Sequence, residues 1–293
     1  MNALQTVVDA VALGSLFALV AMGIALIFGV MRLVNFAHGE LLTAGAYALF
    51  LTTELPLAVS IAVLFATVIA FALATEVAVR PLRAASPAAM LVTTFALSFL
   101  LQSVFLLVWG SQGDNAGILP ELNRAADVGG LRIRWVTVAS IGVGALLLVG
   151  TALLLNRTTI GLEMRAAAHD FRTARLLGVR TNRVIRFAFL LAGVLAAAAT
   201  LMLVVQRPLV TPVYGFQLVI PALVGVVVGG LDRLTSATLG GFAVGFGTSV
   251  LGDVLPSDGR VFLPSVVFAL VIVVLLARPS GLFTRARTVV ERV

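Results

Sequence analysis

Polar positions along this chain are few and clustered, and long apolar stretches run between them. Segments at roughly 5–30, 57–79, 89–109, 136–155, 184–205, 216–231, 236–253 and 262–277 each come near the ~20 residues a bilayer crossing needs, or fall slightly short of it. None alternates apolar and polar residues as a barrel strand does. The pattern therefore predicts helices, the other structure that satisfies its backbone within lipid. A further stretch, roughly 39–54, is apolar but short, and reads as a tilted, re-entrant or broken helix. The expected fold is an all-α integral membrane protein. It is a single polytopic bundle of about eight or nine transmembrane helices over residues 1–293, with a cytoplasmic coupling helix within about 156–183.

Composition strengthens this reading. Hydrophobic residues make up 60% of the chain and charged residues 11%, against ~25% charged in soluble domains, and the mean hydropathy is +1.12. No cysteine is present, which excludes disulfides, thiolate catalysis and cysteine-bound metals. All 20 basic residues are arginine, so the chain has neither a phosphate-loop lysine nor a Schiff-base lysine. A net charge of +7 invites a nucleic-acid reading. The arginines, however, stand in short connections beside apolar runs, where the positive-inside rule places them, and no nucleic acid is expected. No basic residue precedes Arg32, so the first apolar run lacks the charged start of a secretory signal and is expected to stay in the mature protein.

Arginine placement also orients the bundle. The connection 156–183 carries Arg157, Arg165, Arg172, Arg175, Arg180 and Arg183 against Glu163 and Asp170. The tail carries Arg278, Arg285, Arg287 and Arg292 against Glu291, and Arg80 and Arg83 mark a third basic turn. These three regions are expected in the cytoplasm. The charge-balanced connection 110–135 is expected outside, with 206–215 and 254–261, while 231–235 lies inside. The N-terminus lies outside if the short 39–54 stretch crosses, and inside if it does not.

Three features stand out. Asn35-Phe36-Ala37-His38-Gly39-Glu40 puts ionisable groups beside or within the bilayer, where they are costly and mark solute paths or packing sites. Asn35 is expected to cap the helix that follows, with Glu40 favoured by its dipole. Asn35, His38, Gly39 and Glu40 are candidates for a translocation path or gate; the bland alternative is a polar cap at a cytoplasmic turn, with His38 bonded to backbone. The second feature is Ile160–Leu177, where apolar residues recur at helical spacing with Arg165, Arg172 and Arg175 interleaved and Gly178 as C-cap. Such a helix fits a membrane surface, a groove on a partner, or plain attraction of arginine to anionic lipid. The third is small-residue density around 216–253, read as close helix packing ahead of any solute contact, with Pro208, Pro212 and Pro221 around Tyr214-Gly215-Phe216 marking either a broken helix entry or a plain loop. There is also an internal echo: Gly29, Arg32 and Gly39 share their spacing with Gly230, Arg233 and Gly240.

The motif Asn35–Glu40 after Ile27-Phe28-Gly29-Val30 resembles that of branched-chain amino acid ABC permeases of the LivH type. The resemblance continues at 76–83, at Gly161-Leu162-Glu163-Met164-Arg165-Ala166, at Ala174-Arg175-Leu176-Leu177-Gly178-Val179 and at 277–283. It implies a permease subunit that moves branched-chain or related amino acids inward. Its implied partners are two cytoplasmic ABC ATPases that bind ATP and Mg, a second related permease, and an extracytoplasmic solute-binding protein. It places the chain, as a multi-pass protein, in the bacterial plasma (inner) membrane. It also assigns Arg172, Ala174, Arg175 and Gly178 to ATPase coupling. In the family's EAA-x-x-x-G pattern only Ala174 and Gly178 survive here, since Arg172 and Thr173 occupy the Glu and first Ala positions. No cofactor is expected in this chain and no Walker motif is present, so ATP hydrolysis falls to partners. The rival is a secondary transporter or channel working alone on a small zwitterion or amide. It calls for a buried acid that carries a coupling ion, with Glu40, Glu54 and Glu76 as candidates. A membrane enzyme is not expected: the two histidines, His38 and His169, have no ligand set around them.

Overall fold

The computed structural model describes residues 3–81, 86–128, 131–231, 233–278 and 281–283. Its helices are α1 (Ala3–Met31), α2 (His38–Leu51), α3 (Leu57–Val79), α4 (Pro87–Trp109), α5 (Trp135–Arg157), α6 (Thr159–His169), α7 (Phe171–Leu176), α8 (Thr181–Gln206), α9 (Tyr214–Gly229), α10 (Leu234–Val254) and α11 (Leu263–Ala277). Four short strands lie between them: β1 (Asp114–Asn115), β2 (Ala125–Val128), β3 (Leu131–Arg134) and β4 (Leu209–Val210). β1 pairs antiparallel with β4, and β2 with β3. Seven helices among the described residues are long and apolar enough to cross a membrane, and α9 is a shorter apolar helix of 16 residues. The chain is thus an all-α, multi-pass membrane protein. Arg83, Asp232, Arg285, Arg287, Glu291 and Arg292 lie outside the described residues.

Helix α1 is the axis of the bundle. It is buried over most of its length, with α10, α8 and α5 packed around it. Small residues make this possible, because lipid gives helices no hydrophobic reason to associate and close backbone approach must supply the attraction. Where α9 meets α10, a Cβ on Gly225 would fall 2.7 Å from the Gly241 Cα, so these backbones touch with no side chain between them. The two segments of the sequence echo each join two successive helices, α1 to α2 and α9 to α10, of which α9 and α10 pack on each other. The pairs then meet reciprocally, α1 on α10 and α2 on α9.

Side-chain contacts settle the direction of α1. Gln5 Nε2 donates to the Arg132 carbonyl (2.9 Å) and Thr137 Oγ1 donates to Asp9 Oδ1 (3.1 Å), which puts the start of α1 beside the 110–135 connection. At the other end Arg32 Nη2 donates to the Ala168 carbonyl (2.6 Å), beside the arginine-rich connection. By the positive-inside rule α1 runs from outside to inside, so the segment after Arg32 and α2 together return the chain outward.

Helix α2 is too short to cross a bilayer on its own. α2 has 14 residues, and every one from His38 to Leu49 is buried against protein. Irregular or short elements are tolerated at membrane depth in that situation. Its outer end is tied to α3 by Ser60 Oγ, which donates to the Thr52 carbonyl (2.8 Å). Tyr47 stacks on Phe105 and Trp109 with centroids 5.4 and 4.4 Å away, so α4 leans on α2 through aromatic faces.

Two local expectations are corrected. The helical pattern over Ile160–Leu177 is two helices, α6 and α7, broken at Asp170, whose backbone is extended (φ −149°, ψ 104°). The Asp170 carboxylate accepts from the Arg172 and Thr173 amides (2.9 and 3.1 Å) and from the Thr173 hydroxyl (2.6 Å), which starts a new helix instead of continuing the old one. Asn35 does not cap α2. Ala37 holds the cap position without a side-chain bond, and Asn35 Oδ1 accepts from the Ala37 amide (3.1 Å), folding the approach into a turn.

Candidate functional site

The polar motif of the sequence is not a surface cap. Its residues lie inside the bundle, where α1, α2, α4 and α9 meet. After Arg32, in the left-handed region at φ 55°, the chain turns back into the protein. The Phe36 amide donates to Thr94 Oγ1 of α4 (3.4 Å), which fastens the approach to that helix. His38 is fully buried and its ring packs against Gly23 of α1, where a Cβ would meet His38 Nε2 at 3.0 Å. Neither ring nitrogen has a hydrogen-bond partner among the described residues, so the backbone bond of the bland alternative is not made.

Glu40 is fully buried as well. Its Oε1 accepts from Ser98 Oγ (2.7 Å) and from Gln102 Nε2 (2.8 Å), both on α4. Gln102 Nε2 also donates to Ser98 Oγ (3.0 Å), which closes a three-membered polar cluster. Glu40 Oε2 has no partner among the described residues. Ser98 and Gln102 were missed in the sequence. The signal was available: two polar side chains four apart lie on one face of a mostly apolar helix, and such residues face the protein interior or water, not lipid.

Gly39 performs a different task. α2 and α9 cross at their first turns, with Gly39 against Gly215 and the Gly215 amide donating to Thr43 Oγ1 (3.0 Å). A Cβ on Gly39 would meet the Gly215 carbonyl oxygen at 3.0 Å, and a Cβ on Gly215 would overlap the Gly39 carbonyl. Two short helices thus begin at the same place deep in the bundle, one leading outward and one inward. Broken helices that meet within a membrane mark binding sites in many transporters.

The coupling candidates lie together at the arginine-rich end of the bundle. Arg172 and Arg175 are exposed on α7, while Ala174 is buried against the bundle (3% exposed). Gly178 ends α7 with φ 89°, and the Val179 amide reaches back to the Ala174 carbonyl (3.0 Å), the bond pattern of a glycine-terminated helix. Between them Leu176 and Leu177 are 87% and 80% exposed. Hydrogen bonds from the Thr173 hydroxyl and amide hold the Asp170 carboxyl below the usual carboxylate range, so α7 keeps its cap at neutral pH. Arg165 Nη1 donates to the Leu155 carbonyl and to Asn156 Oδ1 (3.1 Å), which anchors α6 to the end of α5.

Comparison with known proteins adds the following. Residues 6–276 match the family described as branched-chain amino acid transport system / permease component. The chain is 32% identical to the high-affinity branched-chain amino acid transport system permease protein BraD of Pseudomonas aeruginosa, over 96% of each protein. It is 28% identical to the corresponding LivH of Escherichia coli K12, again over 96% of each. Among solved structures, a metal-chelate type ABC transporter in an inward-facing conformation matches with a TM-score of 0.52 and 20% identity, over 94% of this chain and 87% of that one. At that identity the likeness speaks for the fold alone.

Proposed function

Because the chain belongs to the family of branched-chain amino acid transport permease components, we propose that it is a membrane subunit of an ATP-driven importer that carries branched-chain amino acids inward. The match over residues 6–276 carries this reading. Two cytoplasmic ATPases supply ATP hydrolysis with Mg, a second related permease completes the membrane part, and an extracytoplasmic binding protein delivers the solute. The setting is the bacterial inner membrane. No cofactor is assigned to this chain.

The described contacts suit such a machine. An ATPase docking on α7 meets an apolar tip, Leu176 and Leu177, flanked by Arg172 and Arg175. Movement there passes to α6, which Arg165 fixes to α5. It passes also to the α1–α2 turn, because Arg32 holds the Ala168 carbonyl at the end of α6. That turn leads directly to His38 and Glu40. Rigid-body movement of α6 and α7 therefore has a mechanical route to the crossing of α2 and α9.

One observation favours the rival, a secondary transporter: Glu40 and Glu76 are both buried, at 0% and 1% exposure. Glu76, however, faces Arg80 (3.4 Å) and Arg186 (3.9 Å), as an acid held in ion pairs does. Co-expression with the ATPases of one such system tests the proposal. The chain is expected to retain two ATPase subunits and a second permease through detergent extraction and affinity purification. A chain that purifies without any ATPase under conditions that keep it monodisperse argues against an ABC subunit.

A further inference from the structure

A cavity of about 480 Å³ lies between α4 and the start of α9, lined by Phe99, Gln102, Ser103, Leu106, Thr211 and Gln217 among others. That volume is within the ~300–1,000 Å³ of small-molecule sites. With Ser111 at its mouth, where α4 ends outside, it runs inward to Gln102, about 10 Å down the helix at ~1.5 Å per residue. No charged residue lines it among the described residues. Its walls combine neutral hydrogen-bonding groups with apolar side chains.

The orientation of the Gln102 amide follows from its neighbours. Ser98 gives its hydroxyl proton to Glu40, so the Ser98 oxygen is an acceptor, and only the Gln102 nitrogen satisfies both it and Glu40. Gln102 Oε1 is left without a donor among the described residues, on a side chain that lines the cavity. Gln217 and Ser103 are exposed; the Ser103 hydroxyl donates to the Phe99 carbonyl (2.9 Å), and the Gln217 side-chain amide makes no hydrogen bond among the described residues. Polar groups at this depth do not face lipid tails. They face water or neighbouring protein.

We propose that this cavity is an outward-facing binding site for a zwitterionic amino acid with an aliphatic side chain. Gln102 Oε1, aimed by Glu40 and Ser98, accepts from the ammonium group; the Gln217 amide donates to the carboxylate; Phe99 and Leu106 meet the aliphatic chain. This inference rests on the permease reading and gives that reading its solute contacts. It also explains a carboxyl buried with no cation beside it among the described residues: Glu40 positions a glutamine and does not touch the solute.

The absence of cysteine allows a direct test. The complete transporter, with ATPases, second permease and binding protein, is assembled in proteoliposomes with Ser103→Cys as the sole cysteine of this chain, and a membrane-impermeant maleimide is added outside. The thiol is expected to react, and leucine at ten times its dissociation constant is expected to slow the reaction about ten-fold. The analogue without the amino group, 4-methylpentanoate, gives no protection. Gln217→Leu is expected to lower kcat/KM for leucine uptake by about ten- to a hundred-fold, the loss of one hydrogen bond to a charged group. If Ser103→Cys itself stops transport, Ser111→Cys at the mouth carries the same readout. A thiol that never reacts, or reacts equally with and without leucine in vesicles that accumulate leucine, overturns the site. A wild-type complex that hydrolyses ATP but carries no leucine overturns the permease reading's cargo, and with it the ligand given to the cavity. The two failures are read on different proteins.

Discussion

Valine in place of Gly215 is expected to abolish the folded protein. The α2–α9 crossing leaves no room for a side chain, since a Cβ there would overlap the Gly39 carbonyl and stand 2.8 Å from Thr43 Oγ1. Both obstacles belong to buried helix starts, and a backbone carbonyl cannot turn aside as the end of a long side chain does. Overpacking a core typically destabilises by ~1–3 kcal/mol. Forcing the helices apart also breaks the buried bond from the Gly215 amide to Thr43, which adds ~1–3 kcal/mol for the groups left unpaired. The total approaches the ~5–15 kcal/mol by which proteins are stable at all. In detergent, Gly215→Val is expected to show little or no monodisperse peak and a thermal midpoint far below wild type. Gly247→Ala, where a Cβ meets nothing within 4 Å, is the control and should match wild type. A Gly215→Val protein that melts with the wild type would contradict the packing described for α2 and α9.

Aspartate at both Leu176 and Leu177 is expected to disconnect the permease from its ATPases without disturbing its fold. Both side chains are largely exposed, so the isolated subunit loses little when they change. If docking buries both, each contributes ~1.5–3 kcal/mol. Removing them weakens the complex by roughly a hundred-fold or more, at 1.4 kcal/mol per ten-fold. Titration of the ATPase onto nanodisc-held permease measures this, with the melting midpoint of the permease as the control for folding. Unchanged affinity in the double variant would remove α7 from the docking surface.

The sequence made some of this architecture legible and hid the rest for identifiable reasons. The long apolar runs became helices close to where periodicity and length placed them, because a segment of ~20 apolar residues has few alternatives in lipid. The short 39–54 stretch stayed open, since whether it crosses depends on what surrounds it. Arg32 against Ala168 and Gln5 against Arg132 settle the direction, and no local pattern announces those contacts. The split at Asp170 was hidden because the apolar spacing runs through it without a change of phase, while its cause is one carboxylate capping the next turn.

The polar motif shows the same division. Asn35, His38, Gly39 and Glu40 were visible as residues that do not belong in an apolar run, and all four lie in the interior. Their partners were not visible, since Ser98, Gln102 and Gly215 come from helices far away in the chain. The glycine-rich density around 216–253 did read correctly as close packing, because small residues have one dominant use between membrane helices. Which glycines touch which helix, Gly225 on Gly241 and Gly215 on Gly39, is information the tertiary structure alone carries.

The central claim, that this chain works as the permease of an ATP-driven amino acid importer, is tested most directly by leucine accumulation in sealed proteoliposomes. The account predicts accumulation against a gradient only when the second permease, both ATPases, the binding protein and Mg-ATP are all present. Omission of ATP, or substitution of an ATPase unable to hydrolyse it, should abolish that accumulation. Leucine uptake by the purified chain alone, driven by a proton or sodium gradient and indifferent to ATP, would contradict it.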